Sequence, residues 1–515
     1  MSSKSKYIIG TRGSLLALTQ TENVRQNLIK ATGLEFEIKV IKTVGDLQTD
    51  KPLWQLKGEN FFTRELDEAL INKEVDLVVH SFKDLGGERP KEITLAAVPQ
   101  RNFPHDILLI KNETIKKLSQ KEKIIIGTSS PRRIYLSQKV LPQILPYGKQ
   151  LQIETALLRG NVNTRLQKLM DGDFDAIILA LAGLERLASH PDSMQELKKI
   201  IHDLNFMLLP ITEFTPSAAQ GALAIECRTD DEDLFKKIQL ISHDESKKEA
   251  LYEKKLFAHY GGGCHQAVGV LARSHPRGQI EIHRGEKDGK EIIKSSFQTK
   301  REEIVSKNTS LFIGLSQPKE KSTNIIYDEL SLKEEMSPCE PMEARHFFVT
   351  SPHCLSMFKK VYKDGPIWAA GFKTMTTLSG ENYWTNGCAD FHGAKELDYF
   401  LQSEFLSLLL PQQLSCVFLT SKDNTSNFSS ALACYERAWK KTNDEFREKI
   451  MNCCAYYWTS YSQFEHYKKE FPQIENAFHA CGLGKTSEAF LKNNIHINLF
   501  VSINEFKEWF YEQTK

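Results

Sequence analysis

The chain has 515 residues, with 67 lysines and arginines against 66 aspartates and glutamates, 41% hydrophobic and 26% charged residues, and a formal net charge of +1. That balance is ordinary for a globular protein of about three or four domains. It excludes a global cationic field for gripping nucleic acid, so any anion binding has to be local. No run of about 18 apolar residues is present to cross a membrane. The amino terminus, MSSKSKYIIGTRGS, lacks the apolar core of a secretory signal, which points to the cytoplasm. With no CxxC pair or Cys/His spacing suited to a metal such as zinc, the ten cysteines are expected as free thiols.

In chain order, two internal echoes come first. YIIGTRGS at 7–14 returns as IIIGTSSP at 124–131, and EVDLVVHSFKDL at 74–85 as DFDAIILALAGL at 173–184. Each half opens with an apolar strand ending in Gly-Thr, continues into an amphipathic helix, and later has a buried strand after an acidic residue. Short apolar runs alternating with helical patterns predict βαβ units, parallel sheet, and two α/β lobes facing a cleft. Ligands of such sheets bind beyond the carboxyl ends of the strands, where helix N-termini favour anions. Residues 228–258 read as charged helix; a glycine run, HYGGGCHQAVGV, follows at 259–270, then the alternating strands of a small α+β domain. Residues 316–345 are polar, carry three prolines and read as a linker. Beyond it, HFFVTSPHCLSMF at 346–358 matches AYYWTSYSQFEHY at 455–467. Thr350 precedes Gly371 by 21 positions and Thr459 precedes Gly482 by 23, which predicts two further related α/β lobes.

The arginines of the first half gather in the expected strand-end loops: Arg12, Arg132, Arg133, Arg159, Arg165 and Arg186. A guanidinium binds carboxylate or phosphate through a planar fork. One such arginine is an ordinary surface residue; six at equivalent places suggest a ligand with many carboxylates. His80, Ser81, Lys83 and Asp84 follow an apolar strand. Asp84 there either stabilises a ligand cation and moves a proton, or caps a helix. Cys264, behind three glycines, is either a buried thiol or a sulfur to which something attaches.

Taken together, GTRGSLLALTQ, FTRELDEALINKEVDLVVHSFKDL, IIGTSSPRR, LRGNVNTRLQKL, DAIILALAGLERL, AAQGALAIECR and GGGC occur in one order. That order resembles the porphobilinogen deaminase (hydroxymethylbilane synthase) family over residues 7 to about 315. The resemblance implies an α/β fold of two periplasmic-binding-protein-like lobes plus a small α+β domain. The expected boundaries are lobe 1 at 1–108 with a return segment at 213–232, lobe 2 at 109–212, and the small domain at 233–315. It implies a dipyrromethane cofactor on Cys264 through a thioether, contacted by Ser81, Lys83, Ser130, Arg132 and Arg133. Asp84 would be the catalytic carboxylate, and Arg12, Ser14, Arg159, Arg165 and Arg186 would bind the carboxylates of the substrate, porphobilinogen. The chain departs from the family at Glu59 and Asn60, at Leu85-Gly86, and at His265, Gln266 and Ala267.

Residues 346–515 resemble uroporphyrinogen-III synthase through VTSP, AAGFKTMTTL, WTSYSQF and ACGLGKTSEAF. That implies a bilobal region gripping carboxylates, with Thr350, Ser351, Thr374, Thr459, Ser460, Tyr461, Lys485 and Thr486 as candidate contacts; each also reads as an ordinary cap or turn residue. The expected protein is a monomeric bifunctional enzyme of tetrapyrrole synthesis, with no nucleic acid, membrane or metal. Two other readings remain open: a deaminase with a degenerate or regulatory carboxyl-terminal module, and a non-enzymatic two-lobed anion-binding protein.

Overall fold

The structure, a computed structural model, describes residues 6–43, 63–86, 88–263, 266–304, 310–315, 324–337, 340, 345–391, 393–411 and 415–514. In lobe 1 the strand order is Glu35–Val40, Lys6–Thr11, Leu77–Ser81, Leu223–Arg228, Ile93–Ala97. In lobe 2 it is Gln152–Ala156, Lys123–Gly127, Ala176–Ala180, Asp106–Lys111, Leu204–Leu208. The two echoes are thus equivalent strands of two sheets. The acidic residue that precedes the strand of each second echo ties two strands together in the same way in both lobes. Asp76 accepts the Ile8 amide and Asp175 accepts the Ile125 amide, each at 2.8 Å.

Neither sheet is wholly parallel, as the sequence suggested. Leu223–Arg228 runs antiparallel to both neighbours in lobe 1, and Asp106–Lys111 to both of its neighbours in lobe 2. The cause is connectivity. The chain crosses between lobes twice at the carboxyl ends of the parallel strands, so each strand that enters from that side runs the opposite way. The crossings touch: the Asn102 amide donates to Gly221 O at 3.2 Å, and a Cβ on Gly221 would lie 2.3 Å from Asn102 O. Only glycine allows that approach.

The small domain is a three-stranded antiparallel meander, Ala267–His275, Gly278–Lys287 and Lys290–Gln298, beneath the helix Asp244–Ala258. The helix Glu232–Gln239, expected here, belongs to lobe 1 instead, because Leu234 and Ile238 enter the lobe 1 core.

Beyond residue 310 the expectation fails in two respects. The span read as a linker carries strands Ile325–Tyr327 and Ser331–Glu335. Leu311–Ile313, expected in the small domain, pairs in parallel with Ala455–Trp458. These strands are too short or too polar to show as apolar runs; neighbouring strands supply their hydrogen bonds. Lobe 3 is a six-stranded sheet in the order Ser331–Glu335, Ala431–Trp439, Cys416–Ser421, His346–Val349, Ile367–Ala369, Gly387–Cys388. Lobe 4 has the order Ile325–Tyr327, Leu311–Ile313, Ala455–Trp458, Phe478–Gly482, Asn498–Phe500. The antiparallel pair Ser331–Glu335 and Ala431–Trp439 forms a ribbon by which the chain passes between them in both directions.

These two lobes rest on different parts of the first half. Lobe 3 docks on lobe 2: the Leu208 amide donates to Asn386 O at 2.8 Å, Trp384 Nε1 to Phe206 O at 3.0 Å, and Ser379 Oγ to Ile144 O at 2.6 Å. The buried Glu185 carboxylate accepts from Ser403 Oγ at 2.5 Å and from the Glu404 and Phe405 amides at 2.8 and 3.1 Å. Lobe 4 docks on the small domain: Glu505 Oε1 accepts the Phe297 amide at 2.8 Å and Arg301 Nη2 at 2.7 Å, and Ile280, Ile282 and Phe297 share a core with Phe312 and Trp458. The eight described cysteines are free thiols.

Candidate active site

Every candidate side chain of lobes 1 and 2 follows the carboxyl end of a strand. Lys6–Thr11 delivers Arg12 and Ser14; Ser14 Oγ caps the helix Leu15–Thr32 by accepting the Ala17 amide at 3.2 Å. Lys123–Gly127 delivers Ser130, which caps Pro131–Ile144, with proline at the first helical position. Gln152–Ala156 leads to Arg159 and to the helix Val162–Asp171, which carries Arg165. Leu77–Ser81 ends in a single 3-10 turn, Phe82–Asp84, that leaves Asp84 exposed and Lys83 half-buried. Ser81 is engaged within lobe 1, donating to Gln20 Oε1 at 3.2 Å.

The charges converge. Burial lowers the Lys83 pKa against the pull of Asp84, with Arg133 and Arg132 lowering it further. Burial brings Arg165 down to about 10, helped by Arg133 and Arg159 and opposed by Asp84. Arg133 Nε and Arg159 Nε and Nη2 are buried donors without a protein partner. Buried donors of this kind carry a desolvation cost unless a ligand meets them. They are cationic, so they fit a ligand that brings several carboxylates of its own.

Three predicted contacts have further duties. Arg132 Nη1 meets Asp106 Oδ2 at 2.8 Å and Arg133 Nη2 meets Asp106 Oδ1 at 2.7 Å. Burial would raise the Asp106 pKa, but the two guanidiniums hold it well below the usual carboxylate range. Arg186 is buried, donates to Gly221 O at 2.5 Å, and is brought down to about 10 by burial.

Sequence reasoning missed Asp106, whose signal was an acid opening a long apolar strand, and it missed Lys254. Lys254 Nζ, on the helix that precedes the glycine run, donates to Lys83 O at 3.2 Å and Leu85 O at 2.7 Å, the carbonyls on either side of Asp84. At the end of that helix Gly261, Gly262 and Gly263 all have positive φ, 95°, 63° and 83°. Three such residues in a row explain why the chain sheds its side chains there. Cys264 and His265, like Glu59 and Asn60, lie outside the described residues.

In lobes 3 and 4 the matched Thr-Ser pairs occupy equivalent places. Thr350 follows His346–Val349 and donates to Leu419 O at 2.9 Å; Thr459 follows Ala455–Trp458 and donates to Gly314 O at 2.8 Å. Ser351 and Ser460 cap the helical turns that follow. Thr374 is buried, Thr486 donates to Thr459 O at 3.1 Å, and Tyr461 packs edge-on to Phe490 at 5.1 Å. The hydroxyls of Thr350, Thr459 and Thr486 are thus engaged within the fold. Lys485 reaches across to lobe 3, with Nζ 4.4 Å from the centre of the Phe428 ring. Sequence reasoning missed the cations of the ribbon, Lys333 and Arg437.

A two-lobed α/β fold with arginines and one exposed carboxylate at facing strand ends suits a ligand that carries several carboxylates. A family model described as porphobilinogen deaminase, dipyromethane cofactor binding domain, matches residues 7–236. The probable porphobilinogen deaminase of Methanococcoides burtonii is 39% identical over 277 residues, covering 54% of this chain and 81% of that protein. The porphobilinogen deaminase of Brevibacillus brevis is 37% identical over 295 residues, 56% of this chain and 88% of its own. The probable enzyme of Methanosarcina mazei is 42% identical over 293 residues, 56% and 84%. The chain belongs to the porphobilinogen deaminase family: its first half is a hydroxymethylbilane synthase that acts on porphobilinogen and carries the dipyrromethane-binding domain. Among the described residues no helix is long and apolar enough to cross a membrane.

Proposed function

We propose that Asp84 is the catalytic carboxylate of the deaminase and that Cys264 tethers the dipyrromethane. When bound, this cofactor supplies the pyrrole carbon to which the first substrate is joined. Ser81, Lys83, Ser130, Arg132 and Arg133 surround the carboxylates of the tethered group; Arg12, Ser14, Arg159, Arg165 and Arg186 serve those of the incoming pyrrole. Departure of ammonia from porphobilinogen leaves a cationic azafulvene, and Asp84 lowers the energy of that charge from a fixed position. The carbonyl contacts from Lys254 hold the Asp84 turn against the helix that leads to the tether, so acid and attachment point share one support. The observation that carries this reading is the set of unpartnered donors on Arg133 and Arg159, which together with Asp84 act on Arg165. Intact-protein mass spectrometry tests it: Cys264→Ser should lack the covalent dipyrrole and activity, and a retained adduct would place the tether elsewhere.

Lobes 3 and 4 we read as a uroporphyrinogen-III synthase, which closes hydroxymethylbilane with its last ring inverted. Support comes from the paired Thr-Ser strand ends on two facing lobes joined by a two-stranded ribbon. Uncatalysed closure gives the type I isomer. Product analysis from porphobilinogen alone is the test, and a product of type I only would reduce the second half to a structural or regulatory module. The protein is expected to work as a monomer, which sedimentation checks.

A further inference from the structure

The ribbon between lobes 3 and 4 has an arrangement that costs stability as it stands. Lys333 and Arg437 are direct cross-strand partners in its antiparallel register. Like charges placed opposite one another on a sheet are destabilising. Glu334 and Glu436 form a second such pair one step along, but it is relieved, because Lys422 Nζ meets the two Glu436 oxygens at 2.9 and 2.8 Å. Nothing comparable relieves the cations. Among the described residues neither Lys333, Arg437 nor the neighbouring Lys373 forms an ion pair. Asp328, an acid that acts on Lys333, is engaged by Gln463, by the Tyr467 hydroxyl at 2.6 Å, and by the Leu330 and Ser331 amides at 3.1 and 2.9 Å.

Lys333 and Lys373 are exposed at the interlobe opening, while Arg437 is drawn further in. Arg437 is half-buried, its guanidinium hydrogen-bonds Ser460 Oγ of lobe 4, and its carbon lies 5.9 Å from the centre of the Trp439 ring. His353, in the helical turn capped by Ser351 of lobe 3, packs edge-on to Tyr435 at 5.4 Å. Burial, with Lys333, Lys373 and Arg437 adding to it, brings His353 down to about 4, so the histidine stays neutral at pH 7. The cations therefore face both Thr-Ser strand ends at once, Ser351 on one lobe and Ser460 on the other.

We infer that Lys333 and Arg437 of the ribbon, with Lys373 of the lobe 3 helix Phe372–Gly380, form a binding site for a polycarboxylate held between lobes 3 and 4. The identity of the ligand as a linear or cyclic tetrapyrrole rests on the synthase reading; the anion chemistry does not. A tetrapyrrole with eight carboxylates would relieve the repulsion between Lys333 and Arg437 and span the interlobe opening. It follows that an empty site is the electrostatically strained state and a filled one the relaxed state.

The experiment uses the full chain titrated with uroporphyrin III, followed by fluorescence, with the type III to type I product ratio measured in parallel. The variants are Lys333→Met/Arg437→Met, its two single substitutions, the charge-keeping Lys333→Arg/Arg437→Lys, and Lys422→Met on the relieved pair. Each lost charge-assisted contact should weaken binding roughly tenfold. The double methionine variant should bind at least tenfold more weakly than the parent, the charge-keeping variant within about threefold, and Lys422→Met like the parent. Parent and double methionine variant binding alike, or both failing to bind, overturns the site. A loss of affinity as expected, with the parent making type I product alone, keeps the site and removes the synthase reading. Should the double variant unfold, judged by its melting profile, the single variants and the charge-keeping variant carry the same comparison.

Discussion

Asp106 should be the most consequential single carboxylate outside the chemistry. Its side chain is fully buried, meets Arg132 at 2.8 Å and Arg133 at 2.7 Å, and accepts Gln220 Nε2 at 2.9 Å. Asp106→Asn keeps the size and one acceptor but leaves two buried guanidiniums without a counter-charge. Breaking a buried ion pair from one side costs about 3–5 kcal/mol. The amide retains part of the hydrogen bonding, so the lower end, about 3 kcal/mol, applies, which is a factor of roughly 150 in an opening equilibrium. A chain of several domains does not melt in one step, so the loss is best read locally. Amide hydrogen exchange in Asp106–Lys111, a strand paired on both edges, should speed up about a hundredfold. Because the folded carboxyl lies well below its unfolded pKa of about 3.9, its stabilisation is present above that value and is lost as pH falls through the folded one. The variant should lack this acid-side dependence in the same amides. Since Arg132 and Arg133 also lose their fixed positions, dipyrrole occupancy by mass should drop. Unchanged exchange together with full occupancy would refute the reasoning.

Asp84→Asn should retain the dipyrrole yet lose about 10²–10³-fold in kcat, the scale for removing one preorganised electrostatic group; turnover near that of the parent would dismiss Asp84 as the catalytic acid. Lys254→Met, which frees the carbonyls of Lys83 and Leu85, should lower kcat about tenfold with little change in KM, and Lys254→Arg should restore it. An effect on KM alone would mean that Lys254 does not hold the Asp84 turn. Glu185→Ala leaves Ser403 Oγ and two amides unsatisfied at the seam between lobes 2 and 3, and should cost about 2–5 kcal/mol, seen as protease cleavage near residue 403 before the rest of the chain. Parental protease resistance there would show that the seam does not depend on this cap.

The parts of this molecule that were legible in the sequence are those with local causes. The strand ends of lobes 1 and 2 could be read because an apolar run, a Gly-Thr and a helix start adjoin one another, and Arg12, Arg132 and Arg159 lie just past them. Ser331–Glu335 could not be read: the sequence SLKEE has neither alternation nor an apolar run, and the strand exists because Ala431–Trp439, a hundred positions away, pairs with it. Leu311–Ile313 is three residues long and takes its place from Ala455–Trp458. Asp106 was invisible as a counter-ion for the same reason, since its partners lie on a helix of the next βα unit. The Cys264 loop illustrates the converse. Its glycines were plain in the sequence, and the positive φ of all three supplies their reason, whereas the thioether proposed for Cys264 is a matter of chemistry and not of backbone.

The docking of the second half also determines which experiments separate the two halves. Cutting near residue 340 would remove most of lobes 3 and 4 but leave Leu311–Ile313, Ile325–Tyr327 and Ser331–Glu335 without the sheets that hold them. It would also uncover the face of lobe 2 on which Trp384 and Asn386 rest, and the edge of the small domain covered by Phe500 and Glu505. Loss of activity in such a fragment would therefore report exposed apolar surface, not a missing catalytic group. Substitutions within the full chain avoid this. Lys333 and Arg437 lie on the ribbon, while the docking contacts lie on Trp384, Asn386, Ser403 and Glu505, so charge at the ribbon can be altered with both seams intact. Lobe 3 is carried by lobe 2 and lobe 4 by the small domain, so any displacement of the small domain against lobe 2 is transmitted to the ribbon that joins them. The ribbon thus links the two supported lobes, and it carries Lys333 and Arg437.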